Sequence, residues 1–281
     1  MSFGPAPWQQ AHWDWRAAGN FICGGAGAGL IVFAALSGAA RPTFAALVLA
    51  GLALVGLGLF CVWLEIGRPL RALHVFFNPR TSWMTREAFA ATLLFPVGLA
   101  AAAGLPGCAW AAAALALAFV YCQGRMLQGA KGIPAWREPL LSPLIVVTGL
   151  VEGAGLSFVI ASLHSEGTQA LLGLFGVLLL ARALLWVAYR RRLATKAAPQ
   201  AQAALDRAGW WLQVVGTLVP LALIAAIVAG AALATPTPLI AAIAGLVAAA
   251  AGAYTKYTIV TRAGFNQGFA LAHLPVRGAR P

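Results

Sequence analysis

The sequence predicts an all-α, polytopic membrane protein with about eight transmembrane helices. Hydrophobic residues make up 61% of the 281-residue chain and charged residues only 9%, proportions outside the range of soluble globular domains. Apolar runs of about 20 residues, the length that crosses a hydrocarbon core, recur along the whole chain. The polar stretches between them are too short to fold by themselves, so residues 1–281 are read as a single integral-membrane domain.

Taken in order, residues 1–16 set Trp8, Trp13 and Trp15 around His12, the composition of a segment lying at headgroup level. The first span covers about 17–39. Its glycine run superficially looks like a dinucleotide-binding loop, but no strand precedes it and no βαβ unit follows. Gly25 and Gly29 have the GxxxG spacing of a close helix-packing face instead. No A-x-A-like site accompanies this first apolar run, so no cleaved signal peptide is expected.

The second span covers about 43–64 and the third about 87–105. A tight Gly-Leu-Pro-Gly turn leads to the fourth at about 107–123. The fifth, about 140–162, carries Glu152; the sixth, about 168–189, carries Arg182. A basic connector with a short helical Ala/Gln stretch follows. The seventh span covers about 209–233, with Pro220 as an expected kink, and the eighth covers about 237–258.

Of the 19 Lys and Arg residues, all but Arg41 and Arg182 fall on the side of the two termini and the 2–3, 4–5 and 6–7 loops. The positive-inside rule therefore places both termini and these loops in the cytoplasm, with the chain in the inner membrane. The net charge of +12 belongs to loops facing membrane lipid or an acidic partner, so no nucleic-acid partner is implied.

Candidate chemistry concentrates between Trp63 and Ala91. Glu65, Glu87, His74, Trp63, Trp83 and the arginines Arg68, Arg71, Arg80 and Arg86 stand there between nearly uncharged apolar runs. Asn20, Tyr121, Gln123, Gln213, Lys256 and Tyr257 fall at span ends on the same side. Together they describe a polar pocket near the interface with apolar helices below it. An amphipathic redox lipid such as a quinone (menaquinone or ubiquinone) fits that arrangement, since it needs an apolar slot, donors for its carbonyl oxygens and a group that moves protons.

Glu87 and His74 are the candidates for proton handling. Arg68 and Arg86 are placed to hold a carboxylate ionised or to donate to a quinone oxygen, with Glu65, Trp83 and Asn20 completing the binding set. The competing structural reading is that the arginines anchor at lipid phosphates or a partner protein and the two glutamates neutralise them.

Glu152 lies at mid-membrane, where an acid is costly and usually functional. An interhelical pair with Arg182 is its simplest structural explanation. The two also form a candidate proton path or, in an alternative function, the centre of a secondary transporter with breaks at Pro96 and Pro220.

No haem or iron–sulfur cluster is expected in this chain, and no metal site. His12, His74, His164 and His273 all fall outside the spans, and Cys23, Cys61, Cys108 and Cys122 form no clustered run. Electrons must then come from a partner.

Residues Glu65–Ala72 (EIGRPLRA), Ser82–Glu87 (SWMTRE), Ile133–Trp136 (IPAW), the GLVEGAG run around Glu152 and the glycine-rich first span resemble membrane-anchor subunits of the dimethyl-sulfoxide reductase type. These belong to the wider NrfD and polysulfide-reductase anchor group. The resemblance covers nearly the whole chain. It implies a haem-free, quinone-reactive anchor docked to a four-cluster ferredoxin-like iron–sulfur subunit, which contacts a molybdopterin catalytic subunit. Glu87 matches the family's acidic position near the quinone site, whereas Glu65 stands where the dimethyl-sulfoxide reductase anchor has a histidine. Nothing carries over to Lys256. With the motif loop on the cytoplasmic side, the related phenylacetyl-CoA:acceptor oxidoreductases become the specific expectation, because a CoA thioester stays in the cell.

Overall fold

The computed structural model of the protein describes residues 7–66, 69–164, 169–230 and 237–268. Among these residues there are eight long helical stretches: α1 (Trp15–Ser37), α2 (Arg41–Glu65), α3 (Trp83–Ala102), α4 (Cys108–Gly129), α5 (Leu141–Leu163), α6 (Gln169–Leu193), α7 (Pro199–Val228) and α8 (Thr237–Arg262). Seven are long and apolar enough to cross a membrane. The remaining one, α3, is 20 residues long and carries Arg86 and Glu87 in its first turns, which lower its apolarity. The protein is an all-α, multi-pass membrane protein.

Local chemistry sets the helix ends. Asp14 caps α1 by accepting from the Arg16 amide at 2.8 Å, and Ser82 caps α3 by accepting from the Thr85 amide at 3.2 Å, each satisfying a donor the helix leaves free. Pro42 occupies the first turn of α2, where its missing N–H costs nothing. Gly104 and Gly107 adopt φ of 85° and 76° in the turn between α3 and α4, a backbone that only glycine adopts freely.

Helices α1, α5 and α8 are packed so closely that side chains would not fit between them. A Cβ on Gly29 would meet the Gly149 carbonyl oxygen at 2.1 Å, and one on Gly245 would meet the Gly155 carbonyl oxygen at 2.4 Å. The expected packing role of Gly25 and Gly29 holds in the structure: the Gly25 carbonyl faces Gly149 on α5. Without a hydrophobic driving force between helices in lipid, such backbone approach is a main source of association.

Three helices contain π-helical segments: Asn20–Gly24 in α1, Trp211–Leu218 in α7 and Thr258–Arg262 in α8. The second corrects the reading of the seventh span. The polar connector is not separate from it, because Pro199–Trp210 runs through the π segment into Val219–Val228 as one continuous helix of 30 residues. Pro220 lacks the N–H that would bond the Gly216 carbonyl and crowds it sterically. The wider π turn takes up that mismatch.

The N-terminal segment closes over one end of the bundle. Gln9 pairs with Phe265 in an antiparallel bridge, the Gln10 amide donates to the Gly264 carbonyl at 2.8 Å, and Trp13 stacks on Trp136 at 5.0 Å between ring centres. The buried Trp136 indole donates to the Ile259 carbonyl at 2.7 Å, and the Tyr189 hydroxyl donates to the Ala135 carbonyl at 2.8 Å. The start of the chain, the 4–5 loop and the end of α8 thus share one end of the bundle of eight helices.

Candidate functional site

A cavity of about 170 Å³ lies among α1, α2, α3 and α4 near that same end. Its polar wall is Asn20, Glu65 and Glu87; Ala17, Phe21, Val62, Met84 and Met126 form the apolar remainder, with Trp13 at one side. Glu87, in the second turn of α3, is only 3% exposed. Its Oε1 accepts from the Asn20 side-chain amide at 3.1 Å. Asn20 is set by the first π segment, whose widened turn frees its carbonyl to accept from Gln123 Nε2 of α4 at 2.9 Å. The side-chain oxygens of Asn20 and Gln123 are buried and have no partner among the described residues.

The cavity gathers three of the seven residues expected to bind or protonate a quinone: Asn20, Glu65 and Glu87. Three of the others stand elsewhere. His74 is exposed on the Pro69–Phe77 3-10 segment, edge-on to Phe77 at 5.4 Å. Arg86 donates to the Pro79 and Arg80 carbonyls at 3.0 and 2.8 Å, which closes the loop, and its guanidinium lies 4.2 Å from the Trp83 ring centre. Trp83 is held between Arg86 and Arg125 and meets Tyr121 edge-on at 5.8 Å. Arg68 lies outside the described residues.

Beneath the cavity a second polar group is buried. Glu152 of α5 is 1% exposed and Lys256 of α8 is fully buried. Lys256 Nζ donates to Glu152 Oε2 at 2.5 Å and to the Phe21 carbonyl, in the first π segment, at 2.8 Å. The expected Glu152–Arg182 pair is corrected here. Arg182, also fully buried, donates to the Ala248 carbonyl at 3.0 Å and the Gly216 carbonyl at 2.5 Å. The physical reason is Pro220, which leaves the Gly216 oxygen without its helical donor, so the guanidinium serves backbone while the ammonium serves the carboxylate.

The two groups are linked through Gly25. The point where a Cβ would stand on Gly25 is 2.4 Å from Lys256 Nζ and 3.5 Å from Gln123 Oε1. A Cβ on Gly24 would lie 2.6 Å from Gln123 Nε2, and one on Gly252 would lie 2.8 Å from Glu152 Oε1. These glycines are the space in which the polar ends sit.

Sequence reasoning counted Gln123 and Lys256 among the polar span ends of the pocket but gave neither a role in it. The signal for Lys256 was present: a lysine inside an apolar helix demands a carboxylate, and Glu152 was already known to need a partner. Reading Lys256 as the end of a span hid that match.

The donor set suits a quinone. An amide and a carboxyl at one end of a slot walled by aliphatic and thioether side chains provide hydrogen bonds for a carbonyl oxygen and an apolar bed for a ring. No curated protein matches the chain. Residues 16–252 match the model of the DMSO reductase anchor subunit family (DmsC), over most of the chain and across every helix that builds the cavity. That match shows that this multi-pass helical bundle is a membrane anchor subunit and that the chain belongs to the DMSO reductase anchor subunit (DmsC) family.

Proposed function

We propose that this protein is the haem-free, quinone-reactive membrane anchor of an oxidoreductase complex, with the cavity at Glu87 as its quinone site and the whole chain acting as one anchor domain. The observation that carries the reading is the buried Glu87 carboxyl, hydrogen-bonded to Asn20 and facing a largely apolar slot. A bound quinone supplies a couple that takes up two electrons and two protons. Glu87 holds or moves a proton at Oε1 or Oε2, Asn20 orients that carboxyl, and the apolar wall of Met84, Met126, Phe21 and Val62 keeps bulk water out. Glu65, half-buried at the mouth, is the second carboxyl placed to exchange protons with solvent.

The partners in this reading are a four-cluster iron–sulfur subunit and a molybdopterin subunit on the side rich in Lys and Arg. That side is the cytoplasm of an inner-membrane protein by the positive-inside rule. A cytoplasmic catalytic subunit is compatible with a substrate such as a CoA thioester. Glu152 and Lys256, rather than Glu152 and Arg182, are then the buried pair through which a proton path toward Glu87 would run. Arg182 donates to backbone carbonyls and forms no direct hydrogen bond with Glu152.

The test is Glu87→Gln in the assembled complex. Quinol-coupled turnover is expected to fall by about 100-fold, the lower range for loss of a positioned acid–base group, while electron delivery to the catalytic partner from a soluble dye is retained. Unchanged quinol-coupled turnover in an intact complex overturns the site.

A further inference from the structure

A second groove, of about 390 Å³, runs on the outside of the bundle between α4 and α5. Its upper part holds Arg125 and Ser142; its lower part is Pro143, Val146 and Val147. Tyr121 and Pro143 are exposed, so the groove opens outward, toward lipid. Val147 lies about 7 Å below Ser142 at the helical rise of 1.5 Å per residue, which carries the apolar part down into hydrocarbon.

The cations at this end of the protein differ in what neutralises them. Arg16 pairs with Asp14, Arg190 with Asp206, and Arg192 and Lys196 with Glu138. Arg125 has no carboxylate among the described residues. It contacts only the Trp83 and Tyr121 rings, at 4.7 and 5.9 Å, and the Tyr121 hydroxyl at 3.3 Å. Its Nε is buried without a partner, and so is the hydroxyl of Ser142, which is 4% exposed and forms the inner wall. Ser142 also stands in the first turn of α5, where the Leu141 amide donates to the Glu138 carbonyl and Pro143 has no N–H, so only the positive end of the helix dipole adds to the same locus.

We propose that this groove binds an anionic phospholipid, with its phosphodiester group at the Arg125 guanidinium and an acyl chain along Val146 and Val147. A guanidinium without a counter-ion, standing beside two aromatic rings, is suited to pair with a phosphate. An acidic partner protein docked on the end of the bundle would satisfy the charge but would not reach the valines below it. The groove is separate from the cavity at Glu87 and stands whether or not quinone binds there.

The complex, purified in mild detergent and stripped of lipid, is titrated with phosphatidylglycerol, phosphatidylethanolamine or inorganic phosphate, and bound lipid is read by native mass spectrometry. Phosphatidylglycerol is expected to bind in preference to phosphatidylethanolamine. Arg125→Gln should weaken it about tenfold, as for one lost charge-assisted contact, Arg125→Lys less, and Val147→Trp should weaken it by filling the lower groove. Arg41→Gln, at the opposite end, should leave it unchanged. Displacement by inorganic phosphate alone points to a free-anion site and overturns the lipid assignment. So does equal binding of both lipids, or full retention in both Arg125→Gln and Val147→Trp. Loss of another subunit from Arg125→Gln, with lipid retained, assigns Arg125 to a protein contact and also overturns it.

Discussion

Lys256 Nζ lies 2.5 Å from Glu152 Oε2, with neither side chain more than 1% exposed. A charge pair at this depth is favourable only while both partners are present. Lys256→Met leaves a carboxylate stranded in an apolar bundle and is expected to cost about 3–5 kcal/mol. The double variant Lys256→Met with Glu152→Leu should recover most of that loss. Thermal unfolding of the detergent-solubilised protein measures both; equal destabilisation of the single and double variants would show that the pair is not what the stability depends on.

Asn20 donates the hydrogen bond that holds the Glu87 carboxyl. Asn20→Ala removes a bond to an acidic group, a loss of about 1.5–3 kcal/mol when that group is ionised. Quinol-coupled turnover of the complex should fall by about tenfold or more, yet less than in Glu87→Gln. A larger effect at Asn20 than at Glu87 would move the site's centre from α3 to α1.

Gly25 and Gly129 are both helical glycines, but they should respond oppositely to alanine. The new methyl at Gly25 would lie 2.4 Å from Lys256 Nζ, whereas nothing lies within 4 Å of the corresponding point on Gly129. Gly25→Ala must displace the ammonium from Glu152 or from the Phe21 carbonyl, and a lower melting temperature is expected. Gly129→Ala should be neutral or stabilise by up to about 1 kcal/mol through reduced backbone freedom of the unfolded chain.

Asp14, outside the membrane-spanning helices, is held below the usual carboxylate range chiefly by its hydrogen bond from the Arg16 side chain. A depressed carboxyl stabilises the fold above its unfolded-state value of about 3.9 and loses that contribution as pH falls through the lower folded value. Amide exchange at the start of α1 is therefore expected to accelerate as pH is lowered below about 4, relative to exchange in α5, and Asp14→Asn should remove that pH dependence.

The helical bundle was legible because membrane burial writes length and apolarity directly into sequence. Glu87, Glu65 and Asn20 were legible too, since polar groups at span ends are conspicuous against runs such as those of α2 and α3. What composition could not convey is where donors turn. Arg86 is adjacent to Glu87 in sequence, yet its guanidinium closes the loop at Pro79 and Arg80, and the donor that reaches Glu87 comes from α1. Arg182 was paired with Glu152 on depth alone, whereas a proline four residues beyond Gly216 decided the matter by freeing a carbonyl. The family match extends over residues 16–252, but a family assigns a role to the chain without settling which cation meets which acid.

Each π segment presents carbonyl oxygens to a side chain from another part of the chain: Asn20 and Phe21 to Gln123 and Lys256, Gly216 to Arg182, and Ile259 to Trp136. A regular helix advances about 100° per residue, so the extra residue in a π turn shifts the angular phase of everything beyond it. Helix α1 consequently has two apolar faces that are out of step, one above Asn20 and one below Gly24. Rewinding these same residues as a regular α-helix would rotate Gly25 and Gly29 by roughly a quarter turn relative to Asn20. The chain would keep its length and its apolarity, yet the carboxyl-binding amide and the glycine packing face would no longer point to their partners together.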